Sequence, residues 1–321
     1  MASPCTISVL LTAHNCEKYI SGTLESLNRA CDGVQDDVEI ILVNDASSDS
    51  TSQYLHAFCE DNPQAKVFDV AFQNIGQVRN FGVSQCSGKY ITMLDGDDQL
   101  LSHSFAEIVT HLNKEQPDLL LAPLNEVYEN KSRPEKWHGL KVSSLTQHQV
   151  IEKFLIHREL QAHFIGQFIK RDILAQQAFP EFSCYEDAYL FPSILIASDN
   201  IHFAEQSPYL YFKRKSSLST ALNAEKISLL IKATERMDEV LGERYRNLLS
   251  CHWINITHKY QPFINDEHEQ QIVNNFIQKI SFFSFLGDTK VRASFKKKYI
   301  KIKLNKKPLT KKRKFKKELP L

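Results

Sequence analysis

Residues 72–98 read FQNIGQVRNFGVSQCSGKYITMLDGDD. The middle of the stretch, GQVRNFGVSQC (76–86), reads as a helix. YITML (90–94) is a continuous apolar run of the length and composition of a buried strand. That run ends in three carboxylates within four positions, Asp95, Asp97 and Asp98. A solvated turn favours Asp and Gly but needs only one acidic residue, and three at close quarters repel. The spacing therefore points to a positively charged partner. Hard divalent cations fit that demand, since they take oxygen ligands and commonly combine one or two protein carboxylates with substrate phosphates.

The same alternation extends outward on both sides. TISVLLTA (6–13), VEIILVND (38–45) and AKVFDVAF (65–72) read as strands before YITML, and DLLLAPL (118–124) as a fifth after it. EKYISGTLESLNRA (17–30), TSQYLHAFCE (51–60) and SFAEIVTHLNKE (104–115) read as helices between them, with Ser47 to Asp49 supplying cap residues for the second. Continuous apolar strands alternating with amphipathic helices predict an α/β fold with a mainly parallel central sheet flanked by helices. Ligands of such sheets bind at the carboxyl ends of the strands. Here those ends read TAHN (12–15), NDASSD (44–49) and DGDD (95–98). Asp45 is left without a capping role, and a carboxylate so placed can accept an N–H of a nucleobase.

Beyond residue 130 the pattern loosens. QVIEKFLIHREL (149–160), RDILAQQ (171–177) and YEDAYLFPSILIAS (185–198) read as helices, and IHFAEQSPYLYFKRK (201–215) as an extended segment or hairpin. From Ala224 to about Phe285 the chain reads as mostly helical. The expected organisation is an α/β domain over 1–222, with halves over about 1–100 and 101–222. A helical region over 223–290 and a basic tail over 291–321 follow, the tail disordered in part after Lys296.

The ordered motifs resemble the family-2 glycosyltransferases, inverting enzymes of the GT-A fold. The matching positions are Asn74, Gly76, Arg79, Asn80, Gly82, Gly88, Tyr90, Ile91 and LDGDD (94–98), preceded by SVLLTAHN (8–15). Several motifs in order at family spacing are more specific than any one of them. The resemblance covers about residues 5–215. It implies transfer of a sugar from a nucleotide diphosphate sugar, most often a UDP-sugar, to a hydroxyl of a glycan or lipid-linked acceptor in bacterial surface-polysaccharide synthesis. It further implies that Thr12, Ala13, His14, Asn15 and Asp45 line the nucleobase pocket, with Arg79, Asp95 and Gly96 near the nucleotide. Asp97, with Asp95 beside it, would hold Mn²⁺ or Mg²⁺. Glu186-Asp187 resembles the family's acidic pair, Asp187 being the expected base. YLYFKRKSSLST (209–220) resembles its diphosphate loop, with Arg214 and Ser219 as contacts. His163 is a weaker acceptor-side candidate; His14, His138, His163 and His258 have no metal-ligand spacing.

Two other readings remain at this point. A phosphatase of the haloacid-dehalogenase type also places DxD after an apolar strand, although near the chain start and followed by Thr or Val, whereas Gln99 follows here. A non-catalytic nucleotide-sugar or glycan-binding module would need no base at 187.

The net charge of +1 hides a division. Lys296–Lys317 holds 13 Lys/Arg and no Asp/Glu, which leaves a net of −12 on the remainder. The basic tail, interleaved with Tyr299, Ile300, Ile302 and Leu304, suits an anionic membrane surface better than nucleic acid. Seven scattered cysteines without CxxC read as reduced thiols. No run approaches the roughly 18 apolar residues of a membrane span, and the N-terminus lacks the basic region of a signal peptide. The expected location is the cytoplasm, at the inner face of the membrane.

Overall fold

The structure is a computed structural model and describes residues 5–128, 136–214 and 223–304. Backbone contacts divide the chain into Met1–Thr220 and Ala221–Leu321.

The first unit begins with β1 (Ile7–Ala13), α1 (Glu17–Ala30), β2 (Val38–Asp45), α2 (Thr51–Asp61), β3 (Ala65–Val70), α3 (Ile75–Gln85) and β4 (Tyr90–Asp95). It continues with β5 (Gln99–Leu100), α4 (Phe105–Glu115), β6 (Leu119–Leu121), β7 (Glu126–Tyr128), β8 (Val142–Leu145) and α5 (Gln147–Ile156). β9 (Phe168–Lys170), α6 (Arg171–Leu174), α7 (Glu186–Ile196), β10 (Ile201–Ala204) and β11 (Tyr209–Lys213) complete it. Eight strands form one sheet in the order β3-β2-β1-β4-β9-β6-β10-β8. β1 to β4 pair in parallel, as their apolar continuity requires, and β1 and β2 are buried almost throughout. β9 enters antiparallel between β4 and β6, and β8 closes the far edge antiparallel to β10.

A second sheet of three strands, β5-β11-β7, is short but decides the site. β5 follows the DGDD turn directly, and Tyr209–Leu210 pair with Leu100–Gln99. The segment expected as one extended piece or a hairpin is therefore two strands serving different sheets, β10 in the large one and β11 in the small one.

The run from Asn74 to Gly82 acquires a physical reading. The Asn74 side chain accepts from Gln77 N at 3.1 Å and caps α3. A Cβ on Gly76 would lie 2.0 Å from the Pro180 carbonyl oxygen, so the segment leading to α7 can approach only where no side chain intervenes. Asn80 then clasps that segment, donating to Phe179 O at 2.9 Å and accepting from Phe179 N at 2.8 Å. At Gly82 a Cβ would sit 2.3 Å from a Leu10 methyl, so the glycine lets α3 lie directly on β1. α3 is thus fixed between the strand that starts the sheet and the segment that carries Glu186 and Asp187.

The second unit contains α8 (Ala224–Leu241), α9 (Arg246–Asn255), α10 (Glu267–Lys279), α11 (Phe282–Gly287) and α12 (Ala293–Leu304). Trp253 stacks on Phe276 with centroids 4.1 Å apart and donates to Asp238 Oδ2 at 2.8 Å. The expectation of disorder after Lys296 does not hold as far as Leu304, because α12 is helical there. Tyr299 is the reason: it is fully buried, packs 5.0 Å from Phe285 and donates its hydroxyl to Ile280 O at 2.9 Å. A single buried aromatic anchors a helix that lacks a sustained apolar period. Residues 305–321 lie outside the described part of the chain.

Gly76→Ala is expected to cost about 1–3 kcal/mol, because backbone must move to admit the methyl group. Gly287→Ala, where a Cβ meets nothing within 4 Å, serves as the contrast in urea denaturation.

Candidate active site

The polar groups gather at the carboxyl edge of β1, β2 and β4. Three residues just past strand ends hold left-handed backbone: Asn15 (φ 48°), Ala46 (φ 51°) and Gln73 (φ 50°). Tyr185 (φ 64°) does the same immediately before α7. Non-glycine residues visit this region at a cost, and such strain concentrates at functional edges. The loops are tied together rather than loose. His14 Nδ1 donates to Asp45 O at 2.5 Å, Asp45 Oδ1 accepts from Gln73 N at 2.9 Å, and Asn15 N donates to Ser47 Oγ at 3.0 Å. Asp49 accepts from Thr51 N and Glu17 N, so it braces the first turns of α1 and α2 together, although Ser50 occupies the cap position of α2. Thr12 and Ala13 are buried beneath, while His14 and Asn15 are exposed.

Arg79 is the centre of the arrangement. Its side chain is 5% exposed, and Nη1 donates to Glu186 Oε1 at 2.6 Å and to Asp187 Oδ1. Nη2 lies 3.7 Å from Asp95 Oδ1. The guanidinium carbon sits 5.6 Å from the Phe179 ring centre, so the same segment supplies an aromatic face. One buried cation thus meets three carboxylates, from β4 and from the first turn of α7. Burial alone would favour loss of the Arg79 proton, but Asp187, Glu186 and Asp95 outweigh it and raise the pKa. Burial pushes the Asp187 carboxyl up to about 8; Arg79 opposes this, while Glu186 and Asp95 reinforce it.

The three aspartates of the turn do different things. Asp98 is 1% exposed and faces inward, accepting from Tyr209 Oη at 2.7 Å and from Phe212 N at 2.8 Å. Its carboxyl is pushed up to about 8 by burial and by the charges of Asp95 and Asp97. It pins the small sheet to the turn, a role that the sequence reading, which assigned only Asp97 and Asp95 to a cation, did not give it. Asp95 and Asp97 stay partly open, with side chains 32% and 40% exposed. Thr12 Oγ1 donates to Asp95 Oδ1 at 3.3 Å. Arg214 Nη1 donates to Asp97 Oδ2 at 2.7 Å, Nη2 donates to the Asp97 carbonyl, and the guanidinium stacks 4.1 Å over Tyr19. Gly96 is required between them, since a Cβ would meet Cys16 Sγ at 2.8 Å and Thr12 O at 3.2 Å.

Asp95 and Asp97 offer the oxygen donors that Mg²⁺ or Mn²⁺ takes. Among the described residues no three acidic, His or Cys side chains converge as a ready metal cage. The donor set therefore fits an ion whose shell is completed by substrate phosphate and water.

Of the residues singled out from sequence, the structure brings Asp95, Arg79, Glu186 and Asp187 into one network, Thr12 beside it, and Arg214 onto Asp97. His14 and Asp45 form a neighbouring pair. Ser219 lies outside the described residues. His163 is buried and its Nδ1 donates to Ile165 O at 3.0 Å. Burial takes its pKa down to about 4, so the ring is neutral, and Nε2 has no partner. Tyr209 opens the YLYFKRKSSLST stretch and Tyr19 is an apolar position of α1, but no local pattern gives either a role in the site. Only pairing of β11 with β5 shows why they matter.

The model of the glycosyl transferase family 2 matches residues 8–174, and the chain belongs to that family. It is 23% identical over 300 residues to the minor teichoic acid biosynthesis protein GgaA of Bacillus subtilis (strain 168), covering 86% of this chain and 66% of the relative. It is 24% identical over 284 residues to the uncharacterized glycosyltransferase EpsJ of the same organism, covering 88% of this chain and 70% of the relative. Among solved structures, S. aureus TarS 1-349 in complex with UDP-GlcNAc aligns with a TM-score of 0.67 at 19% identity, over 86% of this chain and 82% of that one. The mannosyltransferase PcManGT from Pyrobaculum calidifontis, in complex with GDP-Man and Mn²⁺, aligns at 0.54 and 11% identity, over 94% and 87%. These likenesses support the GT-A architecture, and family membership sets aside the phosphatase reading.

Asp98→Ala is expected to destabilise the protein by about 2–4 kcal/mol, since it strands the buried Tyr209 hydroxyl and Phe212 N–H. Asp97→Asn should leave the melting temperature nearly unchanged. Calorimetric melting of both variants separates the inward carboxylate from the outward one.

Proposed function

We propose that the protein transfers a sugar from a nucleotide diphosphate sugar, with inversion, to a hydroxyl of a glycan or lipid-linked acceptor in surface-polysaccharide synthesis. The observation that carries the reading is the Arg79 network. It joins Asp95 at the end of β4 to Glu186 and Asp187 at the start of α7, so the strand-end turn and the acidic pair open on one mouth. The UDP-GlcNAc bound to TarS favours UDP as the nucleotide. Thr12, Ala13, His14, Asn15 and Asp45 would form the base and ribose side; the glycosyltransferase domain would run to about residue 222, its donor half to about residue 100 and its acceptor half from there on.

Mn²⁺ or Mg²⁺ would be held by Asp97, with Asp95 beside it, and would neutralise the charge that develops on the departing diphosphate. Arg214, which pairs with Asp97 here, would exchange that carboxylate for a phosphate, and Ser219, five positions on in the sequence, would be a further contact. Asp187 accepts the proton of the attacking hydroxyl, and the bond to the anomeric carbon forms on the face opposite the leaving group. Arg79 holds the carboxylate in place. Glu186, 7% exposed, serves as a second counter-charge that positions Arg79. A lipid-linked acceptor would bring the protein to the inner face of the membrane through its basic segment. Among the described residues no helix is long and apolar enough to cross a membrane.

Asp187→Asn should reduce kcat by about 10²–10⁴-fold while nucleotide affinity is retained. Loss of nucleotide binding instead would make Asp187 structural. The base must be unprotonated to act, and its carboxyl in the free protein stands at about 8. The value of kcat/KM should therefore rise about tenfold per pH unit below that point and level off above it. A profile flat from pH 6 to 9 would remove Asp187 from the role.

A further inference from the structure

The second unit, taken by itself, has a surface that sugar transfer does not explain. Phe283 is 87% exposed, Leu304 75%, Phe282 44% and Ile300 37%. Large apolar side chains scattered singly over a surface need no explanation, but a cluster does. Phe282 and Phe283 begin α11 with rings 5.5 Å apart and perpendicular. Phe282 also lies 6.2 Å from Tyr299 of α12, the buried ring that anchors that helix. The aromatic pair is therefore mounted on packed structure.

α12 adds charge to the same place. It carries Lys296, Lys297, Lys298, Lys301 and Lys303 and no acidic residue. Lys303 Nζ sits 5.4 Å over the Tyr299 ring, the ring that Phe282 approaches. Lys297, Lys301 and Lys303 are exposed, and Ile300 and Leu304 alternate with them. The sequence continues with eight more Lys/Arg between Lys306 and Lys317.

We propose that Phe282, Phe283 and the outer face of α12 form a docking surface for an anionic lipid bilayer. The lysine heads meet headgroup phosphates while their stems, with Phe283, Ile300 and Leu304, enter the boundary between headgroups and acyl chains. Exposed Ile300 and Leu304 between the lysines favour lipid, because aliphatic side chains enter the acyl boundary but give a base nothing to stack on; the Phe282–Phe283 pair would serve either partner, and the RNA arm of the test separates the two. The surface deepens the lipid-linked acceptor reading and rests on it only for the identity of the partner. Its assay contains neither donor nor acceptor.

The test is flotation of the full chain with vesicles of phosphatidylcholine alone and with added phosphatidylglycerol. Binding is expected only to the anionic vesicles and should fall as salt rises. Phe283→Ser, at an exposed site, should weaken it about tenfold without changing the melting temperature. Lys301→Glu and Lys303→Glu should each weaken it by at least about fivefold. Binding unaltered by Phe283→Ser, or equal on neutral vesicles, overturns the proposal. So does retention on single-stranded RNA with no affinity for either vesicle. Stabilisation of the same variants by UDP is read separately, so failure of the sugar-transfer reading leaves the vesicle result standing.

Discussion

A single buried guanidinium organises the catalytic half of the molecule. Arg79 has almost no contact with water and is shared by Asp95, Glu186 and Asp187. Such a cluster adds little net stability, because desolvation offsets most of the attraction, but removing one partner leaves buried charge uncompensated. Its consequence is geometric. The segment before α7 must be held where α3 can reach it, and Gly76 and Asn80 provide that contact. Burial makes a proton on Asp187 harder to lose, and the charges of Glu186 and Asp95 add to that while Arg79 opposes it. Asp187 is accordingly displaced toward the range in which a general base works.

The DGDD turn divides its charge by direction. Asp98 turns inward and holds β11 through Tyr209 and Phe212. β11 in turn delivers Arg214 to Asp97. Asp97 therefore depends on the closed carboxylate for the position of its cationic neighbour, while Asp95 faces Arg79. Left-handed residues at the neighbouring strand ends show the same economy of placement, since each redirects the chain within three residues of a strand end.

Much of this was legible in the sequence, and the reasons are physical. β1, β2 and β4 are buried on both faces, so their apolar runs are continuous and their limits sharp; the expected 38–45 strand and 17–30 helix match β2 and α1 residue for residue. The strand-end aspartates follow from that register. β8 and β9 were not legible, because strands of four and three residues lack the length to show a period. The inward role of Asp98 depends on β11, more than one hundred positions away, and no local pattern marks it. Arg79 was placed near the nucleotide by resemblance, whereas its bonds here go to carboxylates. α12 escaped notice because one buried tyrosine, rather than a stripe, secures it.

The account stands on the claim that the partly open Asp95 and Asp97 receive a cation together with a nucleoside diphosphate. A thermal-shift titration with UDP, GDP, CDP and dTDP, each with Mn²⁺ and with EDTA, tests it most directly. A diphosphate at one hundred times its dissociation constant should stabilise the protein by about 2.7 kcal/mol, and only when the metal is present. Absence of stabilisation by every diphosphate, with and without Mn²⁺, would contradict the account.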